Sequence, residues 1–321
     1  MKSSKAKVLH EVFCRPMAAH VIESAARLDP VQILVVIGHQ QEKVRDALAS
    51  PRCEFAVQSE QLGTGHAVLV TEPAIRDEAD SVLILCGDTP LILPETLEQL
   101  CRCHSAEDND ITLLTTTLSE PFGYGRILRD HRGGIEAIVE EKDADDDQRA
   151  ITEVNAGIYC VRRSFLFTAL SRIGSDNSQG EMYLTDIVGI AVGEQRRVQP
   201  FHVNNPVEVL GVNSRRELAA ADCELQQRRN TALMAAGVSI LNPQSVRVEP
   251  AVTIAADTTL EQCLHISGST TTIGENCHIE QGCVIRECSI GAGSTIGAGS
   301  FLSGVTLPAG STIAAHTCKS A

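Results

Sequence analysis

The sequence predicts an α/β domain with a mostly parallel sheet, then a helical arm, then a short parallel β-helix. Three observations carry this reading. Apolar runs alternate with amphipathic stretches over the first two hundred residues, a helical segment opens at Asn213-Ser214, and a six-residue apolar period begins beyond Pro243. The boundaries drawn from them are 1–213 for the first domain, 214–237 for the arm and 238–321 for the β-helix.

Within the first domain, helical spacing at 17–28 leads into the apolar run VQILVVIG at 31–38 and a polar helix-like segment at 40–49. The alternation continues through a strand at 82–85, a helix at 95–103 and a strand at 111–116. Further strands are expected at 134–139, 153–161 and 198–203. In the arm, Ser214 is placed to cap a helix that Gly237 ends. About 22 residues at 1.5 Å each give an arm of roughly 33 Å. Leu218, Ala221, Leu225, Ala232 and Ala236 form its apolar stripe, interrupted by Arg228 and Arg229.

Beyond Pro243, charge thins and Gly, Ser, Thr and Ile dominate. Ile254, Leu260 and Ile266 are six apart, as are Ile273, Ile279 and Ile285, and Ile290, Ile296 and Leu302, with Leu307 and Ile313 following. Eleven in-phase positions with three phase slips point one side chain per face of a triangular coil into a narrow interior.

Composition excludes several classes of function. With 27 Lys and Arg against 41 Asp and Glu, the formal charge of −14 lacks the basic footprint that a nucleic-acid or anionic-membrane surface needs. No apolar run approaches the roughly eighteen residues of a membrane span. Twelve cysteines with no paired zinc spacing are too dilute for a disulfide scaffold, so a cytoplasmic setting is expected. Cys101, Cys103 and His104 read as packing and surface residues, because i and i+2 point apart on a helix.

Two blocks point to a site. QSEQLGTGHA at 58–67 is a polar, glycine-bearing loop able to turn backbone N–H groups toward a ligand. VLILCGDTPLI at 82–92 is an apolar strand that delivers Asp88 at its carboxyl end, where open α/β sheets bind ligands. Each also has a plain structural reading. Asp88 alone could cap the next helix, Lys7 could be a solvated lysine beside Lys2 and Lys5, Asn213 could merely cap the arm, and Gly125 could be a turn glycine. Glu140 opens the charge run EEKD at 140–143, ordinarily a solvated face, and His66 reads as a hydrogen-bonded structural histidine.

Taken together, KVLH at 7–10, QLGTGHA at 61–67, GDTPLI at 87–92, GYGRI at 123–127, IVEEKDA at 138–144, EVNAGI at 153–158, QGEMYLTDI at 179–187 and GVNSR at 211–215 match a known pattern in order and spacing. The chain resembles the bacterial N-acetylglucosamine-1-phosphate uridylyltransferases over nearly all its length. That resemblance implies a Rossmann-like nucleotidyltransferase domain followed by a left-handed β-helix. It also implies a homotrimer that joins UTP to N-acetylglucosamine 1-phosphate for cell-envelope precursor synthesis, releasing pyrophosphate. By the same likeness, Asp88 and Asn213 hold Mg²⁺, and Lys7 lies against the phosphates as a mobile point charge. Gln58, Gly63 and Thr64 recognise uracil, and Gly125, Glu140, Asn155, Tyr183 and Thr185 form the sugar pocket.

The chain departs from that family in three places. Met1 aligns with the last residue of the family's phosphate-binding loop, so the preceding strand and loop are absent. A sheet without its middle strand leaves backbone groups unpaired at about 1–3 kcal/mol each, against a total stability of about 5–15 kcal/mol. The expectation is a truncated chain or a start assigned too late, which in-frame codons upstream of Met1 would test. The chain also stops at Ala321, before the segment that carries acetyl transfer in bifunctional members, so no acetyl-CoA-dependent activity is expected. Cys86 stands where a tyrosine is familiar. Two alternatives follow: transfer to another sugar 1-phosphate, or a catalytically impaired scaffold or regulatory homologue.

Overall fold

The computed structural model describes Met1 and residues 3–321, so Lys2 lies outside the described residues. It forms two compact units: Met1–Glu11 with Arg15–Arg215, and Val12–Cys14 with Arg216–Ala321.

The first unit opens with a two-stranded hairpin, β1 (Glu11–Val12) and β2 (Arg15–Pro16), whose tip residues group with the second unit. Then follow α1 (Met17–Ala26), β3 (Ile33–Ile37), α2 (Gln41–Leu48), β4 (Cys53–Val57), α3 (Thr64–Leu69), β5 (Ser81–Ile84) and α4 (Pro94–Ala106). The main sheet takes in β5, β6 (Ile111–Thr117), β7 (Arg126–Arg129), β8 (Ile135–Val139), β9 (Glu153–Arg162) and β10 (Val198–His202). Between these lie α5 (Asp146–Arg149), α6 (Arg163–Leu170) and α7 (Asp186–Gly193). The α/β class read from the alternation holds.

The sheet is mixed in direction. β10 runs parallel to β6 and β3 parallel to β4, whereas β9 pairs antiparallel with β5, β6 and β7. β9 is the organising strand because its ten residues reach three neighbours, and Val154, Ile158 and Val161 on it are fully buried. Leu97 and Leu100 of α4 cover one core cluster, and Leu166, Leu170, Ile187 and Val188 of α6 and α7 cover another. β3 and β4 form a separate two-stranded sheet. A cavity of about 1450 Å³ is lined by Ile33–Val36 on one side of this division and by Ser81–Asp88 on the other.

The second unit begins with α8, which spans Arg215–Ala235. Its buried residues are Ala221, Asn230 and Leu233, which corrects the expected stripe: Ala232 and Ala236 are exposed. The reason is a polar anchor. The Asn230 amide N–H groups donate to the carbonyls of Pro243 and Val246, each at 2.8 Å, and fasten the helix to the chain entering the β-helix. The hairpin tip packs in this unit too, with Phe13 N–H donating to Asp222 at 2.7 Å and the Arg247 guanidinium 5.1 Å from the Phe13 ring centre.

From Ser239 onward, fourteen short strands stack in parallel as three sheets, the architecture of a left-handed parallel β-helix. Leu260, Ile279 and Ile296 stack on one face, Ile266, Ile285 and Leu302 on a second, and Ile254, Ile273, Ile290 and Leu307 on the third. All ten are buried; Ile313, in the last coil, is half-buried because no coil covers it. Register partners are 17 to 20 residues apart instead of a constant spacing. The slips fall at turns, where Gly268, Glu287 and Gly304 adopt positive φ and absorb an extra or missing position.

Candidate active site

The loops at the strand ends of the first unit bring distant residues together. Asp88 follows β5 across Gly87, where a side chain would stand 3.3 Å from Val8, so glycine lets the Lys7–Leu9 turn approach. The Asp88 carbonyl accepts the Val212 N–H at 2.9 Å, which draws the segment around Asn213 to the same place. The Lys7 ammonium then donates to both Asp88 Oδ2 and Asn213 Oδ1. Two oxygens 125 residues apart in sequence therefore converge on one cationic position.

Gln58 follows β4, and its amide folds over the glycine loop, donating to the Gly63 carbonyl at 3.1 Å and meeting His66 Nδ1 at 3.1 Å. The loop is clamped to a second segment. Met182 N–H donates to Leu62 O at 2.7 Å, Gly65 N–H to Met182 O at 2.8 Å, and Leu184 N–H to Thr64 Oγ1 at 3.0 Å. Gly63 takes φ +112°, and an added Cβ would stand 2.6 Å from the Met182 carbonyl, so this close approach requires glycine.

Glu140 emerges from the end of β8 and accepts a hydrogen bond from Thr185 Oγ1 at 3.2 Å. Burial pushes its carboxyl above the usual range; the Thr185 bond opposes this, and Asp143 and Asp186 add to the upward push. Gly125 lies against it: a Cβ there would sit 2.9 Å from Ile138 and 3.5 Å from Glu140 Oε2. Asn155 is buried on β9, donating to the Tyr159 hydroxyl at 2.6 Å and accepting the Gly157 N–H at 3.0 Å. Tyr183 is buried and its hydroxyl accepts from Gln179 at 2.8 Å.

Lys7, Thr64, Asp88, Glu140, Asn155 and Thr185 all line the 1450 Å³ cavity. Gln58 lines a separate hollow of about 560 Å³ with Gly38 and Gln61. Gly63, Gly125, Tyr183 and Asn213 line neither and act on the site through the backbone and side-chain contacts above.

Three contributions escape a motif reading, and Cys86, already singled out in the sequence, is a packing group. Tyr124 accepts the Gly211 N–H at 3.1 Å, tying the GYGRI loop to the segment that carries Asn213. The Met182 backbone clamps the glycine loop, which a side-chain search cannot see. Arg126, 2% exposed, pairs with Glu141 at 2.7 Å and fixes the far side of the Glu140 strand end. Cys86 donates to the Gly157 carbonyl at 3.4 Å, and burial, with the Asp88 charge adding to it, pushes its thiol up to about 12. It stays protonated and packs.

Residues 2–205 match the Nucleotidyl transferase family, and residues 270–304 match the Bacterial transferase hexapeptide (six repeats) family. The chain belongs to the nucleotidyl transferase family. Among curated relatives, it is 48% identical over 288 residues to the bifunctional protein GlmU of Desulfotalea psychrophila (strain LSv54 / DSM 12343), covering 90% of this chain and 85% of that one. It is 47% identical to the bifunctional protein GlmU of Geobacter metallireducens (strain ATCC 53774 / DSM 7210 / GS-15), covering 89% of this chain and 60% of that one. Against that of Latilactobacillus sakei subsp. sakei (strain 23K), identity is 41%, over 89% and 61% of the two chains. The chain thus spans about three fifths of the length of the last two. This nucleotidyl transferase shares its fold with apo-UDP-glucose pyrophosphorylase: TM-score 0.55 at 16% identity, over 70% of this chain and 91% of that one.

Proposed function

We propose that this chain is a sugar-1-phosphate nucleotidyltransferase that joins UTP and N-acetylglucosamine 1-phosphate into UDP-N-acetylglucosamine with release of pyrophosphate. One observation carries the proposal: Lys7 and Asp88, joined by Asn213 through the Lys7 ammonium, line the same cavity as Glu140, Asn155 and Thr185. The first set suits a polyanion, and the second suits sugar hydroxyls and an acetamido group.

In this reading an oxygen of the sugar phosphate bonds to the α-phosphorus of UTP while the bond from that phosphorus to the departing pyrophosphate breaks. The attacking oxygen is already ionised, so no general base is needed, and the barrier lies in alignment and charge repulsion. Lys7 offsets phosphate charge. The clamp of Leu62 and Gly65 on Met182, and of Thr64 on Leu184, holds the nucleotide loop and the sugar loop as one body, which fixes their spacing. Gln58, Gly63 and Thr64 are assigned to uracil. Gly125, Glu140, Asn155, Tyr183 and Thr185 are assigned to the sugar, with the desolvated Glu140 as a strong acceptor.

A divalent ion fits the donor set, because Asp88 Oδ2 and Asn213 Oδ1 are hard oxygens that already converge on one cation. When bound, Mg²⁺ supplies charge neutralisation of the phosphates. Asp88 and Asn213 would hold it. We further assign the β-helix to a homotrimer, on the hexapeptide match and the family likeness; light scattering should give three times the chain mass. Among the described residues no helix is long and apolar enough to cross a membrane.

Pyrophosphate release across a panel of nucleoside triphosphates and sugar 1-phosphates tests the reaction. UTP with N-acetylglucosamine 1-phosphate should lead the panel, and Asp88→Asn should reduce the rate at least ~100-fold. Absence of pyrophosphate release with every pair, from protein that binds UTP, would leave the scaffold alternative standing.

A further inference from the structure

The Lys7 ammonium holds the very two oxygens assigned to the divalent ion, and this overlap has a functional meaning. We propose that Lys7 is an exchangeable counter-ion: it fills the cation position between Asp88 and Asn213 when no divalent ion is present, and yields that position when one binds. The inference rests on the metal assignment made above.

Three observations support it. Both hydrogen bonds from the ammonium end on Asp88 Oδ2 and Asn213 Oδ1, so ammonium and divalent ion compete for the same lone pairs. The head group is free to leave, since the Lys7 side chain is 37% exposed and that of Asp88 23%. The stem's anchor stays put, because the Lys7–Leu9 turn is held by buried Leu9 and by buried Ala6 immediately before it. A lysine on a flexible four-carbon stem can therefore swing while its backbone remains fixed.

The exchange has a thermodynamic consequence. A bare divalent ion must displace an ammonium already bonded to both oxygens, so it binds weakly alone. A triphosphate gives that ammonium new acceptors, and the two ligands then favour each other by a reciprocal factor. Lys7 is thereby the source of ordered loading, with metal and nucleotide arriving together.

Mn²⁺ binding to the full chain without nucleotide, followed by electron paramagnetic resonance, tests the proposal independently of turnover. Lys7→Met should raise Mn²⁺ affinity by about tenfold, within the 5–150-fold range of typical couplings. Lys7→Arg, whose forked head grips a carboxylate more firmly, should lower it below wild type. The ¹⁵Nζ resonance of Lys7, assigned by its absence in Lys7→Met, should shift when Mg²⁺ is added. Equal or weaker Mn²⁺ binding by Lys7→Met, with Asp88→Asn still abolishing it, overturns the exchange and leaves the metal assignment intact. Failure of wild type, Lys7→Met and Lys7→Arg alike to bind Mn²⁺ removes the metal assignment and the exchange with it.

Discussion

Replacing Gly63 by alanine tests whether the clamp between the glycine loop and Met182 organises the site. Gly63 sits at φ +112° and ψ 179°, a region essentially restricted to glycine, where another residue costs about 1–3 kcal/mol. The new Cβ would also stand 2.6 Å from the Met182 carbonyl oxygen and 2.8 Å from its nitrogen. Both contacts are with backbone, so no rotamer change relieves them. Moving Met182 away breaks the bonds from Met182 N–H to Leu62 O and from Gly65 N–H to Met182 O, each worth about 0.5–1.5 kcal/mol net. Together these effects put the penalty at roughly 2–6 kcal/mol. If the loop opens to escape it, UTP affinity should fall by at least ~30-fold, since each 1.4 kcal/mol is about tenfold. Titration calorimetry with UTP and a urea melt read the two outcomes. Gly180→Ala is the control: φ is +67° and nothing lies within 4 Å of its Cβ, so strain of about 1–2 kcal/mol acts there without a clash. A Gly63→Ala protein that melts with the wild type and binds UTP within threefold would refute the clamp.

Other expectations follow from burial and charge. Glu140→Gln removes a desolvated carboxylate acceptor, so KM for the sugar phosphate should rise roughly 10–100-fold in steady-state assays. Because burial raises the folded pKa of Glu140, the folded state holds that proton more tightly than the unfolded chain does. The group therefore opposes folding at neutral pH and ceases to do so as pH falls below the ordinary carboxylate range, so Glu140→Gln should stabilise at pH 7 and converge with wild type near pH 4 in paired thermal melts. Asp186, raised by burial and by Asp143, has the same sign, and Asp186→Asn should behave alike. Ile285→Ala, in a fully buried stack between Ile266 and Leu302, should cost about 2–5 kcal/mol in a denaturant melt.

The β-helix was legible because its physics is periodic: one interior position per face forces an apolar residue at nearly fixed intervals, and ten of the eleven named residues are buried. The slips at Ile273, Ile290 and Leu307 looked like noise in the period and are absorbed at left-handed turn residues. In the first unit, long apolar runs marked β3, β5 and β6, but β4, β7 and α6 left no readable trace. In α6, Phe165, Leu166, Phe167, Ala169 and Leu170 are all buried, so no polar face exists to reveal a helical period. Strand direction was illegible for a different reason: a strand buried on both faces reads alike whichever way it runs, and β9 carries apolar residues suited to either. The charge run at Glu140 shows what geometry adds to composition. Glu140 faces the cavity, Glu141 pairs with Arg126, and Asp143 accepts the Ser178 N–H at 2.9 Å, three fates that four adjacent letters do not separate. Asp88 was marked by its place at a strand end and Asn213 through resemblance, and nothing in their separate surroundings in the sequence foretold a shared ammonium.

The isolation of β3 and β4 as a two-strand sheet shapes how the molecule breathes. Two strands are marginal as an independent structure, and subglobal opening begins where cooperative contacts are few. Deuterium should therefore enter amides at 33–57 well ahead of those at 153–162. Since Gln58 follows the end of β4, ligand engagement there would quench that exchange.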